Sequence, residues 1–352
     1  ITIDVAYRYF ATPKRKFVLA DTPGHIQYTR NMVTGASTAD IALLLVDARA
    51  GILEQTRRHA FIASLLRVPH VVLCVNKMDL VDYSEDRYNE IVTEFSDFAM
   101  RLDVHDLRFV PVSALVGDNV VDESDKTPWY TGPSVLHLLE DIYVASDRNM
   151  VDVRFPVQYV IRPHTMEHQD YRGYAGQVIG GVLKPGDDVM VLPSGFESKI
   201  AGIDTYDGPV DEAVPPMSVT IRLEDDIDIS RGDMICRPHN RPEVGQDIDA
   251  RVCWLTDRGQ LRPGNKYAIK HTTRWARALV TDLQYRLDIN TLHRDEEADH
   301  LDLNEIGRIR IRTTQPLFYD DYQRNRETGS FILVDESTNA TVGAGMITGP
   351  AQ

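Results

Sequence analysis

Four short apolar runs, at residues 17–20, 41–47, 71–75 and 109–112, are too brief for helices. Such runs read as strands buried on both faces, the pattern of a parallel sheet covered by helices. Helical periodicity fills the gaps between them. Residues 28–37, 54–68 and 85–101 read as helices, and in the second Ala60, Phe61, Ala63, Ser64, Leu65 and Leu66 fall near one side. Residues 134–144 make the last helix, with Ser134 placed after Pro133 as its cap. The polar stretch 118–133 reads as a loop, and 5–10 as one more strand. Strand and helix in alternation predict one side of a doubly wound α/β sheet over residues 1–147, its first strand and helix missing.

Beyond residue 147 the helical period stops. Short strands punctuated by Gly, Pro and Asp take over, which predicts antiparallel barrels. Residues 176–183 and 189–192 are expected to pair as a hairpin through Lys184-Pro185-Gly186-Asp187, where Gly186 supplies the positive φ of a type II turn. The run 223–231 carries Glu224, Asp225, Asp226 and Asp228 and closes at Gly232-Asp233. A second break falls at Arg241-Pro242-Glu243, and strands at 248–254, 267–271, 277–284, 307–312 and 329–334 complete another barrel. The expected domains are 1–147, 148–241 and 242–352.

Composition narrows the function. With 352 residues, 43% of them hydrophobic, two or three cored domains are affordable. No apolar run reaches the roughly 18 residues of a membrane span, so no membrane partner is expected. Cys74, Cys236 and Cys253 lack metal-type spacing and fit a reducing cytoplasm. The eleven histidines form no ligand cluster; His164 and His168 follow Pro163 in loop-like sequence. The net charge of −15 repels phosphate backbones, which argues against a nucleic-acid partner. Lys14-Arg15-Lys16, the only compact basic run, sits in a turn between strands.

The chemistry lies where two of the apolar runs end. Asp21-Thr22-Pro23-Gly24-His25 follows the first run and Asn76-Lys77-Met78-Asp79 follows the third. Ligands of open α/β sheets gather beyond the carboxyl ends of the strands, so both motifs are expected on one rim. The Asp79 carboxylate can accept both N–H groups of a guanine, while Asn76 faces its N7 and O6 side. Asp21 can hold Mg²⁺ through water, and Gly24 lets its N–H approach a γ-phosphate. Ser113-Ala114-Leu115, after the fourth run, is placed to cap guanine with backbone amides. Thr2 can coordinate Mg²⁺ in the triphosphate state and let go after hydrolysis. Alone, a Thr in an extended segment is an ordinary strand residue. A G-x-x-x-x-G-K-[ST] phosphate loop is absent from the sequence, although the chemistry needs one. It is expected to precede Ile1; a degenerate GTPase that never had it is the alternative.

A G domain with these motifs, followed by two barrels, resembles the translational GTPase family typified by elongation factor Tu. Within it the chain is similar to the subunit 1 family of bacterial sulfate adenylyltransferase, the GTPase half of ATP sulfurylase. The resemblance rests on residues 25–32, on Arg162-Pro163-His164, and on residues 171–176, 223–233 and 337–346. It implies an α/β P-loop GTPase domain, N-terminally incomplete, followed by two antiparallel β-barrel domains. It further implies GTP held by Asp21, Thr22, Pro23, Gly24 and His25 and by Asn76, Lys77, Met78, Asp79, Ser113, Ala114 and Leu115. Thr2 and, through water, Asp21 would hold Mg²⁺, and His25 would orient the attacking water behind an apolar gate that includes Ile1. Phosphoryl transfer asks mainly for placement and charge neutralisation, so a histidine can serve there without being a strong base. The implied partner is a separate catalytic small subunit, in a heterodimer or a larger assembly, that joins ATP and sulfate into adenosine 5′-phosphosulfate and pyrophosphate. Two other readings are a tRNA-carrying elongation factor and a nucleotide-free scaffold.

Overall fold

The computed structural model describes residues 4–25, 28–104, 106–144, 149–163, 171–289 and 291–351. Ile1 and Thr2, the Ile26-Gln27 pair, and His164 with His168 lie outside the described residues. The chain divides into two compact units, Ile1–Asp147 with Asp288–His293 and Arg148–Leu287 with Arg294–Gln352.

In the first unit, β1 (Ala6–Ala11) and β2 (Lys16–Asp21) pair antiparallel, with Phe10 opposite Phe17 and the two rings stacked 4.7 Å apart. The turn between them carries Lys14 and Arg15, and Lys14 bridges to Glu140 at 3.2 Å. Helix α1 (Thr29–Ala36) follows β2. Next come β3 (Ile41–Asp47), α2 (Glu54–Leu65), β4 (His70–Asn76), α3 (Glu85–Ala99), β5 (Asp106–Pro111) and α4 (Val135–Asp141). Strands β3, β4 and β5 are parallel in that order, with β4 central. Val71 to Val75 are each no more than 4% exposed, which is why the run lacks alternation. Among the described residues β1 and β2 form a two-stranded sheet of their own, rather than one side of a continuous doubly wound sheet. A short turn suffices for antiparallel pairing, whereas each parallel neighbour needs a crossover.

Two helix readings need correction. Ile62 is 1% exposed and occupies the core, while Phe61 and Leu65, assigned to the inner side, are only half-buried. The helix also stops short of residue 68. Arg67 takes φ 51°, and the Val68 N–H returns to the Ala63 carbonyl at 2.9 Å while the Arg67 N–H returns to Ser64. This left-handed closure satisfies the last carbonyls without a glycine. Ser134 caps α4 as its position suggested, accepting from the His137 N–H at 3.4 Å.

The second unit begins with β6 (Arg154–Ile161), β7 (Gly173–Gln177), β8 (Asp188–Leu192), β9 (Phe196–Thr205), β10 (Gly208–Pro209), β11 (Ser218–Leu223) and β12 (Met234–Cys236). Their order, β10-β9-β11-β7-β6-β12-β8, closes through a further β9–β8 pairing, so six strands form a barrel. Its core holds Phe155, Tyr174, Val189, Ile200 and Ile221. The remaining strands are β13 (Glu243–Trp254), β14 (Lys266–His271), β15 (Arg274–Leu287), β16 (Arg294–Asp295), β17 (Ile306–Tyr319), β18 (Ser330–Val334) and β19 (Thr341–Pro350). They close in the same way, through β14–β15, around Trp254, Tyr319 and Phe331.

The hairpin expected across residues 184–187 is not formed. Strand β7 stops at Gln177 and pairs with β6 and β11, while β8 pairs with β9 and β12. Gly181 explains the break. It sits at φ 70°, and a Cβ there would lie 2.6 Å from the Val153 Cα. The chain therefore leaves the ladder to press against backbone, where only glycine fits. Gly186 does take positive φ, at 88°.

The two barrels meet along a polar seam. Arg154 forks onto Asp320, and Asp152 binds Arg324 through both oxygens at 2.6 and 2.7 Å. Burial opposes a charge on Asp152, but hydrogen bonds from Arg324, Asn149 and Asn240 outweigh it and hold its carboxyl well below the usual range. Beside these, Met190, Leu192, Met234 and Cys236 enclose Phe318 of β17 in a small apolar cluster.

Candidate functional site

Strand β4 delivers Asn76 to the carboxyl end of the parallel sheet, and the backbone then turns sharply because Lys77 adopts φ 64°. Residues Met78–Val81 continue as one 3₁₀ turn, with Met78 wholly buried beneath it. Burying Met78 fixes the turn, so that Asp79 is held at the rim. Strand β5 ends beside it and hands over to Ser113 and Ala114, whose segment docks through the Met78 N–H to the Val112 carbonyl at 3.2 Å.

Side chains tie the two loops together. Ser113 Oγ donates to Asp79 Oδ1 at 2.6 Å. Asn76 Oδ1 accepts from the Lys77 N–H at 2.8 Å and from the Ala114 N–H at 3.0 Å. What Asn76 can offer a ligand is therefore its Nδ2 amide, and the Ala114 amide expected to cap a base is engaged within the protein. Each carboxylate oxygen carries two lone pairs, so with the Ser113 bond made Asp79 retains room for three further donors.

Asp47, at the end of β3, completes this corner. Its Oδ2 accepts from Lys77 Nζ at 2.8 Å, and Arg49 grips the same carboxylate at 2.7 and 3.0 Å. The Arg49 hydrogen bond, with Lys77 assisting, holds the Asp47 carboxyl well below the ordinary range. The Lys77 ammonium is thereby tethered to the end of β3. Sequence reasoning did not find Asp47 or Arg49. The only signal was a charged pair directly after an apolar run.

The Asp21–His25 segment is anchored differently. Asp21 ends β2 opposite Ala6 and is exposed, Pro23 is buried, and His25 accepts the Tyr28 N–H at its carbonyl at the entry to α1. Gly24 lies against α2. A Cβ on it would stand 3.0 Å from Gln55 Nε2, and its backbone hydrogen-bonds the His59 ring. Burial, opposed by that bond, lowers the His59 pKa. Gln55 and His59 share a helix face one turn apart, a spacing visible in the sequence and not singled out. Among the described residues no cluster of three or more His, Cys, Asp or Glu side chains is arranged to hold a metal, and no helix is long and apolar enough to cross a membrane.

Comparison with known proteins places these loops in context. The family model described as "Elongation factor Tu GTP binding domain" matches residues 1–150, and "GTP-eEF1A C-terminal domain-like" matches residues 247–348. Sulfate adenylyltransferase subunit 1 of Alteromonas mediterranea is 52% identical over 349 residues, covering 99% of this chain and 72% of that protein. The bifunctional enzyme CysN/CysC of Mycobacterium tuberculosis H37Rv is 64% identical over 347 residues. This chain spans only 56% of that relative's length. Among solved structures, sup35 complexed with GDP aligns with TM-score 0.54 and 25% identity, over 98% of this chain and 84% of that one. The sup35 complex with GMPPNP aligns with the same TM-score at 24% identity, a likeness of fold alone.

Proposed function

The chain belongs to the sulfate adenylyltransferase subunit 1 family, built on the elongation-factor GTPase fold, and on that footing we propose that it binds and hydrolyses GTP to drive sulfate activation. The observation that carries this reading is the pairing of Ser113 with Asp79 and of Ala114 with Asn76. It brings two separate loops together beyond the carboxyl ends of β4 and β5. Asp79 would accept the ring N–H and the exocyclic amine, Asn76 would donate to the N7 and O6 edge, and the Lys77 stem would lie along the ring face. Leu115, exposed at 90%, offers an apolar lid for the same ring.

The triphosphate end is assigned to residues 21–25. Gly24 presents its N–H without a side chain, with Gln55 Nε2 of α2 close beside it. Asp21, exposed at the strand end, would hold Mg²⁺ through water, and Thr2 would complete the set. Phosphates and water supply most oxygens of such a Mg²⁺, so a few protein groups suffice. When bound, the ion neutralises phosphate charge. His25, exposed at the start of α1, would orient a water toward the terminal phosphate.

A catalytic partner subunit would form the phosphate–sulfate anhydride from ATP and sulfate. A ligand shifts an equilibrium only by its differential affinity for two states, so that partner must meet residues that differ between GTP and GDP forms. The proposed contact face comprises Thr2, the segment from Gly24 to Met32, and part of the barrels. Three buried cysteines outside any disulfide are compatible with the cytoplasm as the working compartment. The test combines the full-length protein with candidate catalytic subunits and measures adenosine 5′-phosphosulfate formation with and without GTP. Stimulation by GTP is expected. Its absence in every pairing, or tight GTP-dependent retention of aminoacyl-tRNA, would overturn the assignment.

A further inference from the structure

Asp118, in the polar stretch after β5, makes more contacts toward the guanine corner than a loop carboxylate needs. Its carbonyl accepts the Ser113 N–H at 3.1 Å, and the Gly117 N–H returns to the Ser113 carbonyl at 2.7 Å. Residues 113–118 therefore form a closed turn that presents Ala114 and Leu115. The Asp118 side chain, only 14% exposed, reaches the other way. Its Oδ2 accepts from the Tyr83 hydroxyl at 2.5 Å and from Lys126 Nζ at 3.0 Å, and its Oδ1 from Ser124 Oγ at 2.8 Å.

Tyr83 follows shortly after Asp79, and the chain there is under strain. Asp82 and Tyr83 both sit at φ 52°, two successive non-glycine residues in the left-handed region. Such a pair persists only where its surroundings enforce it. Here the Tyr83 N–H is held by the Met78 carbonyl at 2.9 Å, its carbonyl accepts Trp129 Nε1 at 3.1 Å, and Lys126 lies 5.2 Å from its ring centre. The strain is maintained where the chain after Asp79 reaches the residue that closes the Ser113 turn.

We propose that Asp118, with Tyr83 and Lys126, is a positioning clasp that holds the Ser113–Asp118 turn against the Asn76–Asp79 loop and thereby sets guanine selectivity. The clasp touches no base itself. It fixes the distance across which Ser113 reaches Asp79, and so the direction of the carboxylate that reads the guanine amine. Its Tyr83 hydrogen bond, with help from Lys126 and Ser124, keeps the Asp118 carboxyl below its ordinary range, so the clasp stays charged at neutral pH. This inference rests on the guanine reading given above.

The experiment uses the full-length protein and measures binding and release of fluorescent GDP, with inosine diphosphate as the analogue lacking the exocyclic amine. Tyr83→Phe removes one hydroxyl and keeps the ring; Asp118→Asn keeps the shape and removes the charge. Each is expected to speed GDP release about tenfold, the worth of one charge-assisted hydrogen bond, and to narrow the preference for GDP over inosine diphosphate. Unchanged release and preference in both variants would overturn the clasp. So would equal weakening toward both nucleotides together with a lowered melting temperature, the mark of a merely structural role. Failure of the unmodified protein to bind either nucleotide would overturn the guanine reading itself.

Discussion

Arg154 and Asp320 meet in a forked ion pair, with both N–H···O bonds at 2.8 Å and the two side chains 0% and 3% exposed. They join the barrel that begins at β6 to the one that ends at β19. The remaining Arg154 donor reaches the Asn240 and Val153 carbonyls at 2.7 and 2.8 Å, and Thr328 Oγ donates to Asp320 at 2.7 Å. All three guanidinium nitrogens of Arg154 and both carboxylate oxygens of Asp320 are thus hydrogen-bonded, which is the condition for a buried pair to be tolerable.

Asp320→Ala leaves the Arg154 guanidinium sealed without its counter-charge. Removing one partner of a buried pair costs about 3–5 kcal/mol. Urea denaturation of the variant is expected to show a loss in that range, whereas replacing both residues by apolar side chains of similar size is expected to recover much of it. A single-residue loss below about 1 kcal/mol would mean the pair does not hold the seam.

His271 makes the same region sensitive to acid. It is 0% exposed, its Nε2–H donates to the Thr328 carbonyl at 2.7 Å, and its Nδ1 has no hydrogen-bond partner among the described residues. Protonation would place a second N–H where nothing accepts it. Burial accordingly pushes its pKa down, from 6.5 to about 4. The unfolded chain takes up the proton first, so this contribution is full above pH 6.5 and fades as pH falls from 6.5 toward 4. The loss amounts to about 3 kcal/mol. Asp152, with its carboxyl lowered, adds a second loss only below its ordinary value of 3.8. Stability of His271→Gln, measured by urea titration across that range, is expected to vary less with pH than that of the unmodified protein. Identical slopes would refute the assignment.

Gly35 tests packing in the first unit. A Cβ there would lie 2.5 Å from Thr22 Cγ2, with Ala20 and Val5 close behind at 3.7 and 3.8 Å. Alanine in a helix gains about 1 kcal/mol over glycine, but overpacking typically costs 1–3 kcal/mol. The clash is with a short, stiff side chain, so it wins, and Gly35→Ala is expected to lower stability by about 1 kcal/mol. Adding Thr22→Ser removes the offending methyl and is expected to restore it. A double variant no better than the single one would exclude this contact as the cause.

Base recognition is tested at Asp79 and Ser113. Asp79→Asn exchanges an acceptor for a donor and is expected to move preference from guanine to xanthine nucleotides. Ser113→Ala removes the 2.6 Å bond to Asp79 and is expected to weaken GDP binding about fivefold to tenfold without changing preference toward xanthine. Calorimetry with both nucleotides reads the two outcomes.

Much of the α/β unit was legible in the sequence, because parallel strands buried on both faces leave unbroken apolar runs. Strand β4 is the clearest case, and the peptides at its end and after β5 were recognisable as loops with chemistry. The barrels were harder to read. Strand β19 carries three glycines and ends on Pro350, a composition poor in strand formers. The structure shows what that composition is for: a Cβ on Gly345 would stand 2.1 Å from Phe331 Cζ, so the ring lies flat on bare backbone. Strand β9 was also passed over, since its alternating faces look like a loop where Glu197, Ser198 and Lys199 cluster, and β6 was missed although it is mostly apolar.

The sequence by itself determined the class of fold and the peptides, Asn76–Asp79 and Ser113–Leu115, that lie at or just beyond the ends of the parallel strands β4 and β5. Each of these depends on neighbours along the chain, through local periodicity and backbone preference. Tertiary structure alone decided that Arg154 answers Asp320, 166 residues away, that Asp118 closes on Tyr83, and that β7 leaves its expected hairpin. Charges and hydroxyls carry no mark of their partners, because a hydrogen bond is specified by position in space and the chain must fold before that position exists.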